Sequence, residues 1–231
     1  MALALASLAG FIWRERTARS AFVPAHLFRD RSFDLVNTVA TLFSAGIFGS
    51  VFLVSQYLQI GMGFGPLESG LRAAPWTMVP MVVAPVAGVL VKRYGPRAVL
   101  LIGMVLQTAA VGCFVLLAHT SSGYGPYVLP MLIAGTGMGL TFSPLATAVL
   151  EGIASQDRAV VSGVNQTARQ LGTATGIALC TALFTTFGAY APGERFTAGL
   201  VPALGACTVL LVAATALVIA MPRGRLQPAG Q

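Results

Sequence analysis

Not one ionised side chain occurs between Leu35 and Leu67, and the same holds for residues 73–91, 98–150, 170–193 and 196–222. Roughly 20 apolar residues of helix cross the hydrocarbon of a bilayer, so most of these runs suffice for one crossing and the run 98–150 holds two. Water is excluded as the solvent by the rest of the composition. Only 9% of the residues are charged and 56% are hydrophobic, against charge on about a quarter of the residues of a soluble domain. The chain is expected to be an all-α integral membrane protein.

Six crossings are expected, near residues 34–58, 71–91, 97–118, 127–150, 161–187 and 197–221. The short connections "GMGFGP", "YGPR", "SSGYGP" and "YAPGER" carry the glycine and proline of turns. Residues 1–13 are apolar but too short to span, and read as the tail of a linker transmembrane helix. Residues 14–33 read as a cytoplasmic or interfacial connector broken at Pro24, residues 34–221 as the six-helix unit, and residues 222–231 as a cytoplasmic tail.

Lysine and arginine collect on the cytoplasmic side of a membrane protein. With the connector inside, that side gathers Arg14, Arg16, Arg19, Arg29, Arg31, Lys92, Arg93, Arg97, Arg158, Arg223 and Arg225, leaving Arg72 and Arg195 outside. Both ends of the six-helix unit are therefore expected in the cytoplasm. The net charge of +7 lies in such clusters and forms no basic face, so nucleic-acid binding is not expected. Cys113, Cys180 and Cys207 sit in apolar runs without paired spacing and read as buried small residues, with no metal or cofactor site. Nothing pairs a nucleophile with a base, so no enzyme is expected.

"LFRDRSF", "VSQYLQIGMGFGPLESGLRAAP", "GVLVKRYGPR" and "SGVNQTARQLGTATGIA", in this order and spacing, resemble the drug:proton antiporter branch of the major facilitator superfamily with fourteen spanning helices. The resemblance covers nearly the whole chain. It implies the carboxyl-terminal half of such an exporter, preceded by a partial helix and built as two three-helix inverted repeats that rock against a matching half. It further implies lipophilic small molecules and protons as cargo in a cell membrane, and an amino-terminal half or a second copy as partner. The loop pattern is matched at Gly88, Leu90, Arg93, Gly95 and Arg97, while Lys92 occupies the family's acidic position. A second reading is a truncated membrane protein that transports nothing, or one that docks on a full-length transporter.

Asn165, Arg169, Gly172, Gly176 and Cys180 recur every three or four residues and share one helix face. Gly172 and Gly176 form a small-residue pair that admits close helix approach. Arg169 either reaches the cytoplasmic interface along its own stem or closes the cytoplasmic end of a transport path, paired with Glu151 or Asp157. In the first crossing Thr41, Ser44, Phe48, Ser55 and Gln59, with Phe52, Gln56 and Tyr57 beside them, line one face that either borders a substrate cavity or only packs. In the fourth crossing Gly135, Gly137, Gly139 and Pro144 either bend the helix or let it pack closely. Trp76 is expected in an outer aromatic belt, and the aliphatic third and sixth crossings are expected to face lipid.

Overall fold

The structure, a computed structural model, describes residues 31–120, 123–150 and 153–220. The expected linker tail at 1–13, most of the connector at 14–33 and the tail at 222–231 lie outside the described residues. Six membrane-length helices lie among the described residues: α1 (Arg31–Gln56), α2 (Pro66–Tyr94), α3 (Pro96–Thr120), α4 (Gly125–Leu150), α5 (Arg158–Phe187) and α6 (Glu194–Ala220). Their order matches the expected crossings. The largest difference is at α2, which starts five residues early because Pro66, with no amide hydrogen to offer, suits a first helical turn.

A π-helical turn, Tyr57–Gly61, continues α1, with Met62 N–H donating to Tyr57 O at 2.9 Å. Gly61 makes the turn possible: any Cβ there would strike the Tyr57 ring. Such turns had no signal in the hydropathy pattern.

α1 packs along α5 and α6, α4 packs along α2 and α3, and α3 packs along α6. The first helix of each triplet thus lies against the second and third helices of the other, and exchanging the triplets maps the pattern onto itself. Three crossings separate the starts of α1 and α4, so the two triplets run in opposite senses. This is the packing of an inverted repeat, and it emerges without internal sequence similarity.

α1 and α4 are accordingly central, with 61% and 56% of their most apolar windows buried, whereas α2 and α5 show 11% and 22%. α3 and α6 do carry aliphatic outer faces, including Ile102, Leu116, Val209 and Ile219. They are nevertheless less open than α2 and α5, because they also pack on each other. Gln107 of α3 is fully buried.

At the end where α2, α4 and α6 begin, aromatic rings run unbroken through the bundle. Trp76 stacks on Phe114 at 5.3 Å, Phe114 on Tyr127 at 6.0 Å, Tyr127 meets Tyr57 at 5.5 Å, Tyr57 meets Phe196 at 5.9 Å, and Phe196 meets Phe184 at 4.7 Å. Each helix supplies one ring, α1 through its π-turn. Trp76 is therefore a core residue, 2% exposed, and not part of a lipid-facing belt. The Tyr57 and Tyr127 hydroxyls lie 3.3 Å apart, long for an O–H···O bond. Tyr127→Phe is expected to cost less than about 1 kcal/mol, seen as a small drop in the thermal midpoint of the purified chain.

Just beyond this cluster, Arg72 donates to Glu68 at 2.7 Å, as their four-residue spacing suggests, and its guanidinium also lies 3.7 Å over the Phe64 ring and 4.8 Å from the Tyr124 centroid. Tyr124 in turn donates its hydroxyl to the Arg72 carbonyl at 2.8 Å. The α1–α2 and α3–α4 connections, two of the three at this end, are thereby tied together. We call it the aromatic end, and the opposite one the basic end.

Candidate functional site

α1 has one accessible face and is buried on its other sides. Above the first turns that face carries Thr41, Phe48, Phe52, Ser55 and Gln56, all half-buried, with the equally half-buried Leu42 and Val51 at its borders, and Gln59, which is exposed. The structure thus gathers the expected stripe of hydroxyls, amides and aromatic rings on one open face. Ser44 does not belong to it. Its side chain is fully buried and its Oγ has no partner, next to the edge-on contact of Phe43 with Phe142 that joins α1 to α4.

Towards the basic end the stripe runs into a pocket of about 360 Å³ lined by Phe33, Asp34, Asn37, Thr38, Thr41, Leu42 and Val164. Its donors are largely engaged inside the protein. Thr38 Oγ1 donates to Asp34 O at 2.8 Å, Asn37 Nδ2 to Phe33 O at 2.9 Å, and Thr41 Oγ1 to Asn37 O at 2.9 Å. Sequence reasoning missed Asn37, although it lies one turn before Thr41 on the same face.

α5 closes the pocket from the other side. Asn165 is buried and donates Nδ2 to Asn37 Oδ1 at 3.0 Å. Gly172 faces the Thr41 carbonyl and Gly176 the Ala45 carbonyl so closely that a Cβ at either would overlap backbone. The small-residue pair is a helix seam, as its spacing suggests. Val161, Asn165, Gly172, Gly176, Cys180 and Phe184 form the buried stripe of α5.

Arg169 shares that face but is only half-buried. Its guanidinium lies 4.4 Å from the Phe142 ring centroid, and its Nε is buried without a hydrogen-bond partner. The expected ion pair with Asp157 does not form. Asp157 is the N-cap residue of α5 itself, twelve positions and about 18 Å along the axis from Arg169. Glu151 lies outside the described residues. Phe142 carried no sequence signal as a partner, since it sits on α4.

The glycines of α4 serve contact. Pro80 of α2 has no amide hydrogen, which frees the Trp76 carbonyl four residues earlier, and a Cβ on Gly135 would come within 2.8 Å of that oxygen. Gly139 lies against Pro80 and Val83, and Gly137 against Gly103 and Gln107 on α3. α4 stays helical through Pro144, which is buried.

At the basic end, Lys92 and Arg93 occupy the last turn of α2, where cations favour the carbonyl end of the helix dipole. Gly95 ends the helix at φ +82°, a conformation suited to glycine, with its N–H on Val91 O at 2.9 Å. Arg97 donates to Ile219 O at 2.6 Å and so caps the end of α6. A Cβ at Gly88 would meet nothing within 4 Å. Cys113 is exposed, contrary to expectation, while Cys180 and Cys207 are buried together.

Residues 1–177 match the family model of the Major Facilitator Superfamily. The chain is 32% identical over 165 residues to the multidrug resistance protein B homolog of Mycobacterium tuberculosis, covering 71% of this chain and 30% of that protein. It is 30% identical over 179 residues to the tetracenomycin C resistance and export protein of Streptomyces glaucescens, covering 78% and 33%. With the multidrug transporter MdtP of Bacillus subtilis it shares 29% identity over 205 residues, covering 88% and 37%. The chain thus spans about a third of the length of these relatives. A solved D-xylose-proton symporter superposes on 83% of the chain with a TM-score of 0.65 at 17% identity, using 48% of the symporter, a likeness of fold alone. From the family match and the six-helix unit alike, this multi-pass membrane protein belongs to the Major Facilitator Superfamily.

Proposed function

We propose that the chain acts as the carboxyl-terminal half of a plasma-membrane drug:proton antiporter, exporting lipophilic small molecules by alternating access. The single observation that carries this reading is the open face of α1, where Phe48, Phe52, Ser55, Gln56 and Gln59 combine apolar surface with a few polar guides. That mixture suits varied amphipathic cargo. The names of the relatives, multidrug resistance and export proteins, support the cargo class. The exposed faces of α2 and α5 support a partner half, supplied by an amino-terminal segment or a second copy. The arginine and lysine distribution supports cytoplasmic placement of the basic end, and with it of a gate formed by Arg169 and Asn165.

Proton-driven drug uptake into inverted vesicles, with and without a supplied amino-terminal half, tests the reading. Uptake in neither case, with the chain present in the membrane, would remove it. Gln56→Leu and Gln59→Leu are expected to change the ranking of transported drugs by several-fold while leaving the amount of membrane protein unchanged. Identical drug profiles for these variants and wild type would take α1 out of the cargo path. A second reading, a non-transporting partner docked on a full-length transporter, is favoured by the same open α2 and α5 faces. Co-purification with a full-length relative, together with no uptake in vesicles, is its expected signature.

A further inference from the structure

Three helices meet at one point in the middle of the bundle. Cys180 of α5 and Cys207 of α6 place their sulfurs 3.0 Å apart, both side chains fully buried. Gly49 of α1 lies directly over them: a Cβ there would come within 2.7 Å of the Cys180 sulfur and 3.1 Å of the Cys207 sulfur. The missing side chain on α1 leaves just the room that the two sulfurs fill. Neither the inter-helix seam nor the cargo face requires thiols here, since any pair of small residues would fill the space.

We propose that Cys180 and Cys207 are a disulfide-forming pair that staples α5 to α6 when the membrane meets an oxidant. A disulfide bond is about 2.05 Å long, so closing the gap moves each sulfur by about half an ångström, within the reach of a small χ1 change. With a lipid-soluble organic hydroperoxide the step balances. Two S–H bonds and the O–O bond break, one S–S bond forms, and the two protons leave in one alcohol and one water. Soluble reductants act through a thiolate that must reach a disulfide sulfur. With both sulfurs sealed beneath Gly49, the bond persists until the bundle opens. The staple closes a 27-residue separation and therefore restricts the unfolded chain.

The test uses the full chain in detergent with Cys113→Ser, which removes the exposed thiol. After tert-butyl hydroperoxide, the sample is denatured with N-ethylmaleimide and weighed intact. A loss of about 2 Da, no maleimide added, and recovery of two alkylatable thiols after strong reductant in denaturant are expected, from the two hydrogens lost per disulfide. Adding Cys207→Ser should abolish the mass loss. The oxidised chain should also melt several degrees higher than the reduced chain. Two maleimides on the oxidised chain, covalent dimers through these residues, or an unchanged melting point in a sample whose mass shows the bond would each overturn the staple. None of these readouts depends on transport.

Discussion

Gly176→Val is expected to remove the chain from the membrane fraction, while Gly88→Ala and Gly205→Ala leave it in place. The contrast follows from what each added Cβ would touch. At Gly176 it would overlap the Ala45 carbonyl oxygen and lie 2.5 Å from Ala45 Cα, and at Gly172 it would overlap the Thr41 oxygen and lie 3.0 Å from Thr41 Cα. These are backbone atoms of a helix and cannot rotate aside. Extra groups forced into a packed interior cost about 1–3 kcal/mol when neighbours can shift, and here α1 and α5 must separate instead. In lipid there is no hydrophobic force to hold separated helices together, and association rests on close packing. Gly176→Ala should therefore already cost about 2 kcal/mol or more, and valine the whole seam. At Gly88 and Gly205 nothing lies within 4 Å of the added carbon, and alanine is the better helix former by about 1 kcal/mol. Yield in the membrane fraction and the thermal midpoint in detergent, measured for all four variants, check this. Equal behaviour of Gly176→Ala and Gly205→Ala would contradict the seam.

The seam was visible in the sequence because it is local. A helix repeat of 3.6 residues places Asn165, Gly172, Gly176 and Cys180 on one side, and the fold buries that side. The same reasoning found the open stripe of α1 but could not exclude Ser44, whose full burial depends on the packing of other helices against α1. Trp76 failed for a similar reason. Its place near the start of an apolar run suits a lipid interface, yet it stacks on Phe114 of α3, which in turn stacks on Tyr127 of α4. For Gly135 the deciding group is a carbonyl freed by Pro80 on α2, which no pattern within α4 records. The exchange symmetry of the two triplets likewise resides in which helices touch. Crossing number and order were legible because solvent dictates them, whereas partners across the bundle were not.

Arg169→Ala, Arg169→Lys and Phe142→Leu are each expected to lower drug export by roughly an order of magnitude, with the chain still in the membrane. Alanine removes the charge, lysine keeps it without the flat guanidinium, and leucine removes the ring beneath. Alanine and leucine end the contact at 4.4 Å and lysine replaces its flat face with a point charge, and cation–π contacts are worth from about 0.5 kcal/mol when exposed to about 2 kcal/mol when desolvated. The position of the arginine is the reason for this expectation. α5 carries Arg169 one turn before the Gly172 seam with α1, while Phe142 stands on α4, so the pair joins α5 to central α4, close to where Asn165 and Asn37 join α5 to central α1. In the gate proposed above, opening would withdraw the α4 ring from a guanidinium whose Nε already has no hydrogen-bond partner. If the two side chains act as one unit, the double variant Arg169→Ala with Phe142→Leu should lose no more than either alone. The measurement is uptake into inverted vesicles supplied with the amino-terminal half, normalised to the chain present. Additive losses would mean that arginine and ring act separately. Wild-type uptake by both Arg169 variants would leave the charge with a merely interfacial place, its head in water and its stem in oil.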